Sequence, residues 1–330
     1  MAAHRLVLCV LWCGFLPIGA VVGATGPALT QTYPDRLIKM VVPYPAGGPI
    51  DTTARLVAQR LGPILGQTVI IENRGGAGGA LGTKSVAGAE PDGYTLLFGN
   101  ASALAVGPAV YRFRDYDTIK HFTPIAKVTE GYEVLVVAPN FPPKNVQELI
   151  AYAKANPGKL NFGSMGYGNL THLVAELFKL KTGTDFVHVP YKGSPDAVAG
   201  IVTGQVHILF GEVAGLLPLV REGKIRALGV SSAARNALAP ELPTLIEGGL
   251  ADFIALTFTG VVAPAGTPAS IVNKLNAAIN EAVKPPEVVA TLGRLGSEVR
   301  SGSAADFAAF LAKERDKWVD VVTRTGIRAE

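Results

Sequence analysis

The sequence predicts an α/β protein of two lobes, each a mostly parallel sheet flanked by helices, with a ligand cleft between the lobes. Three observations lead there. Short apolar runs alternate with helical patterns along the chain, which is how parallel strands with crossover helices read. Two glycine-bearing turns, at 47–48 and 163–168, each carry the chain from a strand into a helix start. The chain also passes between the two units twice, near 125–132 and 250–258, which suits a hinge. Its 330 residues leave room for two domains of ordinary size. The expected division is a leader at 1–24, one lobe from 25–128 with 256–330, and a second lobe at 129–255.

The elements follow in order. After an extended stretch at 25–36, residues 39–42 read as a buried strand and 51–65 as a helix with Ala54, Val57, Leu61, Ile64 and Leu65 on one face. Asp51 is the expected N-cap. A strand at 68–71, a helix at 80–87 and a strand at 94–98 complete a β-α-β-α-β unit. Strands at 125–128 and 134–138 are expected on either side of Gly131, then a helix from Asn145 with Glu148 at capping-box spacing. The second unit continues as strand 160–162, helix 169–180, strand 187–189, helix 195–202 and strands 206–210 and 225–230. A β-rich run at 253–263 leads to a helix ending at Val283, with Thr267 as N-cap and Pro268 at the first helical position. Ser303 and Asp306 cap a last helix whose Phe307, Phe310, Leu311, Trp318, Val321 and Val322 make an apolar stripe. These C-terminal helices are expected to pack on the first lobe.

Residues 1–24 read as a secretory signal peptide: Arg5, an apolar run broken by Gly and Pro17, and a small-residue exit at 22–24. The alternative is an uncleaved anchor, for which the run is short. Both cysteines, Cys9 and Cys13, lie in this leader, so disulfide and thiol chemistry are excluded from the mature chain. The formal net charge of +4 becomes +3 when Arg5 is removed. No basic stripe interleaved with aromatics points to nucleic acid. The histidines show none of the close spacings of a metal site, and no cofactor is expected. An exported, monomeric protein with a small-molecule ligand is the expectation.

The chemistry is expected at the strand-to-helix turns. Around Tyr44, Ala46, Gly47, Gly48 and Asp51, unpaired N–H groups and the positive end of a helix dipole would converge on one spot and welcome an anion. A tight turn that binds nothing fits the same residues. The run Gly163-Ser164-Met165-Gly166-Tyr167-Gly168-Asn169-Leu170-Thr171-His172 mirrors it in the second lobe. Two facing loops would trap a carboxylate between the lobes, so Ser164, Gly166, Gly168, Thr171 and His172 join the candidates. Ser102 and Asn100 stand after the third strand, and Glu212 after a second-lobe strand, where parallel strands deliver residues to a cleft. Lys192, in Tyr191-Lys192-Gly193-Ser194, also follows a strand. Each has a plain alternative as solvated surface. Gly76-x-Gly78 followed by Gly82 misses the dinucleotide spacing, and Phe162 two residues before Ser164 breaks the nucleophile elbow. A hydrolase using Ser164 with His172 as base remains the rival from another class.

From Tyr33 onward the chain resembles the Bug family, the periplasmic solute receptors of tripartite tricarboxylate transporters. The motifs are YP at 33–34, VPYPAGG at 42–48, ENRGGAGG at 72–79, PDGYTL at 91–96, Gly163-Ser164 with Gly168 and His172, HVPYKG at 188–193, GQV at 204–206 and APAGTP at 263–268. The resemblance implies a two-lobed type II periplasmic binding fold closing on a small carboxylic acid. It also implies backbone capture of the carboxylate by the loops at 46–51 and 164–172, and a membrane transporter as partner. Some family members are orphans, so a ligand sensor is a second implied role. Tyr167, Asn169 and Leu170 depart from the small or hydroxylated residues common in the second loop, and Glu212 is displaced by one from the usual acid position. Tyr44, Tyr167 and Leu170 would give a partly apolar wall favouring an aromatic or branched carboxylate over citrate or an acidic amino acid.

Overall fold

The computed structural model describes residues 33–110 and 116–328. The expected leader at 1–24 lies outside them.

The first strands form where the apolar runs are. β1 (Ile38–Val42) pairs in parallel with β2 (Val69–Asn73) and β3 (Thr95–Asn100). Between them run α1 (Pro49–Leu65) and α2 (Ala80–Ala87). β1 and β3 are buried on both faces. Met40 and Val42 face one core with Leu96 and Phe98, while Val41 and Leu97 face the other. Past β3 come a π-helical turn (Ser102–Val106), α3 (Gly107–Val110) and α4 (Thr118–His121).

The sequence led us to expect two strands around Gly131. The structure has one, β4 (Phe122–Val137). Its polar middle is stabilised from far away in sequence: Glu130 accepts from Arg300 Nε at 2.7 Å and is also paired with Lys127. The second half of the chain adds α5 (Val146–Ala155), β5 (Leu160–Ser164), α6 (Leu170–Thr182), β6 (Phe186–Pro190), α7 (Ser194–Val202), β7 (Ile208–Glu212), α8 (Val213–Arg221) and β8 (Arg226–Val230). The return strand β9 (Leu256–Pro264) is followed by α9 (Ala269–Ala282), α10 (Pro286–Arg294), β10 (Glu298–Val299) and α11 (Ala304–Thr325). Helices α8 and α10 were not anticipated.

The strands connect in the order β2-β1-β3-β9-β4-β7-β5-β6, with β8 and β10 also on β4. β9 is antiparallel to β3 and β4, and β4 is antiparallel to β7 and β8, while β5 pairs in parallel with β6 and β7. The two ends of the sheet, β2-β1-β3 and β7-β5-β6, are thus parallel as expected, and antiparallel pairing enters in the middle, where β4 and β9 carry the chain across and back. β4 is shared, its first half bonded to β9 and its last residues to β7 and β8. Its pairing shifts register near residues 124–129 and again at 135–136.

One core lies between the sheet and helices α1 and α9. The other runs on without a break from Leu97 and Leu104 through Val134, Phe162 and Phe178 to Phe307 and Trp318. Helix α11 touches β4, α3 and the π-helical turn, as expected, and also α6 of the second half. Ser303 caps it as a full capping box with Asp306. Thr267 does not cap α9; its hydroxyl donates to Pro264 O, and Pro268 is the N-cap residue. Among the described residues no helix is long and apolar enough to cross a membrane.

Candidate functional site

Strand directions decide where a ligand can sit. β9 is antiparallel to both β3 and β4, so β3 and β4 run the same way; β7 runs against β4. The C-terminal ends of β1 and β3 therefore point toward those of β5 and β7, and such ends are where α/β sheets receive ligands. A cleft of about 240 Å³ lies there. Tyr44, Gly78, Asn100 and Ser102 form one wall, and Met165, Gly166, Tyr167, Gly168 and Asn169 the other. It is smaller than the roughly 300–1,000 Å³ of sites for drug-sized molecules. A cavity of about 230 Å³ around Phe141 and His207 lies at the opposite end of β7. A third, of about 520 Å³, sits between Leu238, Val283 and Arg300, away from the strand ends.

The first loop is tied together by a carboxylate of its own. Asp51 is not the N-cap of α1: Gly48 is, and Pro49 opens the helix. Asp51 stands in the first turn, 2 % exposed. It accepts from Gly47 N at 2.8 Å, Arg55 Nε at 2.9 Å and Asn73 Nδ2 at 2.9 Å. Burial alone would raise its pKa; the hydrogen bonds from Arg55, Gly47 and Asn73 outweigh it and hold the carboxyl at about 2. The anion expected at this helix start is thus supplied by the chain, and Gly47 N–H is already used. Ala46 and Gly47 are exposed, and with Gly48 they lie outside the cleft lining.

Close packing fixes the neighbouring turn. A Cβ at Gly82 would stand 2.5 Å from Arg74 O and 2.8 Å from Pro43 Cα, so only glycine lets the turn at 74–82 lie against the first loop. Gly79 has φ +92° with the Tyr44 ring against it. Tyr44 OH in turn donates to Asn100 Oδ1 at 2.7 Å.

The second loop turns much of its backbone inward. Met165 N donates to Thr171 Oγ1 at 2.9 Å, Gly166 N to Ser164 Oγ at 3.2 Å, and Gly168 N to His172 Nδ1 at 3.1 Å. Asn169 N donates to Gly166 O, and Thr171 N to Asn169 Oδ1. Ser164, Thr171 and His172 are buried and serve as the partners that shape this loop. Five of the loop's N–H groups, those of residues 165, 166, 168, 169 and 171, are thus directed to partners within the loop. His172 is not paired with Ser164; His188 Nε2 is, at 2.7 Å. Phe162, His188 and His172 stack, with the two imidazoles 3.8 Å apart. Burial, then His188 and Lys179, lowers His172 to about 3; burial and Lys179 lower His188 to about 4. Both rings are neutral at physiological pH. Because Nδ1 of His172 accepts an amide, its proton sits on Nε2.

Of the remaining expected residues, Tyr44, Ser102, Gly166 and Gly168 line the cleft. Lys192 and Glu212 are exposed outside its lining. Glu212 stands opposite Glu133 across β7 and β4. Glu133 is fully buried with Oε2 unpartnered. Burial first, then the Glu212 charge, pushes its carboxyl well above the usual range. Leu170, expected on the cleft wall, packs into the core instead. Gly78, Met165 and Asn169 were not foreseen as lining. For Asn169 a signal existed, since it closes a glycine-bearing loop at a helix start as Asn100 follows a strand into a helical turn. Among the described residues no cluster of three or more metal-ligating side chains is present.

Comparison with known proteins agrees with this fold. The pattern of the tripartite tricarboxylate transporter family receptor matches residues 53–327. BugT of Bordetella pertussis is 37% identical over 310 residues, covering 94% of this chain and 95% of BugT. A Rhodopseudomonas palustris protein solved with adipate superposes with a TM-score of 0.75 at 34% identity, over 90% of this chain and 99% of its own. MatC from the same organism, solved with bound malate, gives 0.73 at 35%, over 88% of this chain and all of MatC. The chain therefore belongs to the tripartite tricarboxylate transporter receptor family, the Bug group of periplasmic solute-binding receptors, and is a receptor rather than an enzyme.

Proposed function

We propose that the protein captures a small carboxylic acid in the cleft between the C-terminal strand ends and presents it to a membrane transporter of the tripartite tricarboxylate type. The observation that carries this reading is the lining itself: a small cleft with hydroxyl, amide and glycine groups on both walls and no acidic side chain. Such walls offer hydrogen-bond donors to an anion without repelling it. The relatives solved with adipate and malate support the same ligand class.

The lobes in this reading are 25–128 with 256–330, and 129–255, hinged where β4 and β9 cross. Tyr44, Ser102, Gly166 and Gly168 face the ligand. Asp51, Ser164, Thr171 and His172 hold the loops in shape. Residues 46–48, Lys192 and Glu212 belong to surfaces that approach on closure. Tyr44 and Tyr167 make the cleft partly aromatic, which favours an acid with an apolar body over citrate.

A thermal-melt screen against mono-, di- and tricarboxylates tests the proposal. An acid that binds only the folded protein raises the midpoint by mass action, about 2.7 kcal/mol at 100 times its Kd. Silence from adipate, malate, benzoate, branched-chain acids and citrate alike would refute it.

A further inference from the structure

Two asparagines occupy equivalent places on the two walls. Asn100 follows β3 and its Oδ1 accepts from Ala103 N at 3.1 Å, at the start of the helical turn. Asn169 is the N-cap of α6 and its Oδ1 accepts from Thr171 N at 3.1 Å. A backbone N–H can only donate, so each carbonyl end is fixed by its cap and the NH2 end must point away from it. Oδ1 of Asn100 also takes the Tyr44 hydroxyl, and Oδ1 of Asn169 the Thr171 hydroxyl at 3.4 Å. Among the described residues neither Nδ2 has a protein partner, and both side chains are half-buried on the cleft wall.

We propose that Asn100 and Asn169 are the residues that select a carboxylate, one from each wall, with their Nδ2 groups donating to its oxygens. This deepens the receptor reading and rests on it. The loop amides turned inward at Met165, Gly166 and Gly168 build the frame; the two primary amides supply the donors. No Lys or Arg lines the cleft, so recognition is by neutral donors, and the affinity depends only weakly on salt. Because each asparagine belongs to a different wall, one carboxylate bridging them ties the walls together.

The test is an exchange of donor for acceptor. Asn100→Asp and Asn169→Asp keep the capping oxygen while replacing NH2 by a second, charged acceptor. Wild type and variants are titrated calorimetrically with adipate, malate and benzoate, and ligand-free melting is recorded for each. The expected result is unchanged ligand-free melting with affinity lower by at least about 10- to 150-fold, the range for a hydrogen bond to a charged group. Lowering the pH toward 4 should recover part of it as the new carboxyl protonates. If an Asp variant melts early, Asn→Ser at that position keeps a cap acceptor without the amide and should show the same loss. Wild-type binding of any of the three acids with variants within threefold of it overturns this inference and leaves the receptor reading standing. Absence of binding by wild type removes both.

Discussion

Replacing Asp51 by Asn removes a charge on which three donors converge, from the first loop (Gly47), from α1 (Arg55) and from the end of β2 (Asn73). The carboxyl is held at about 2 against an ordinary value of 3.8, a drop of about 1.8, or at most about 2.4 kcal/mol at 1.36 kcal/mol per unit. The Arg55 partner is 53% exposed, so solvent screens its part and about 1–2 kcal/mol is the figure to expect. At about 2–4 °C per kcal/mol for a chain of this size, Asp51→Asn should melt about 2–8 °C below wild type at pH 7. The folded pKa is depressed, so this stability is fully present above the unfolded value near 4 and is lost as pH falls toward 2. Scanning calorimetry at pH 7, 5, 4 and 3 should therefore show the gap holding to about 4 and narrowing below. A variant within 1 °C of wild type at pH 7, or a gap of constant size down to pH 3, would refute the assignment of Asp51 as the loop's internal anion.

Further outcomes follow from the other buried groups. Glu133, whose pKa is raised, keeps more protons folded than unfolded, so its contribution falls as pH rises from the ordinary carboxylate value; Glu133→Gln should melt at least ~2 °C above wild type at pH 8, with the gap closing toward pH 4. A Gln variant that melts lower at pH 8 contradicts this. His172 and His188 are depressed to about 3 and 4, so the unfolded chain binds protons first and stability declines as pH falls from about 6.5 toward 4; His188→Phe, which keeps the stack with Phe162, should flatten that decline in a pH-melting series, and an unchanged slope would speak against it. Gly82→Ala forces a methyl against Arg74 O and Pro43 Cα, so a loss of about 1–3 kcal/mol in urea unfolding is expected, and a neutral variant would mean that the turn moves freely.

Much of this was visible in the sequence where one local rule decides the outcome. The apolar runs and glycine turns located β1, α1, β5 and α6 within a few residues, and Asn145, Asn169 and Ser303 stood at helix starts as their chemistry requires. Asp51 misled as an N-cap because the stronger signal, Pro49 at the first helical position, stood two residues earlier. The unity of β4 was hidden by Lys127, Glu130 and Gly131, which read as a break; Glu130 can lie in a strand interior because Arg300 reaches it from 170 residues away. Helix α8 was masked by Gly215 and Pro218, and α10 by its short, proline-led start. At the site, residue types alone did not specify which hydrogen bonds the loop groups make. Whether a loop N–H faces a ligand or the hydroxyl of Thr171 depends on where α6 turns back, and no spacing rule carries that.

The unbroken passage of β4 through the sheet has a mechanical consequence. A pair of loose tethers would let the two halves of the molecule swing freely, but a 16-residue ribbon bonded along its whole length must be wrung to let one half rotate against the other. The slips in its pairing near 124–129 and at 135–136 are where such torsion is easiest, since extra residues there already loosen the ladder and increase its twist. In the proposed hinged receptor, opening and shutting would be two settings of one elastic element, and a change at Ala126 or Val136 would retune its rest position without altering the cleft lining.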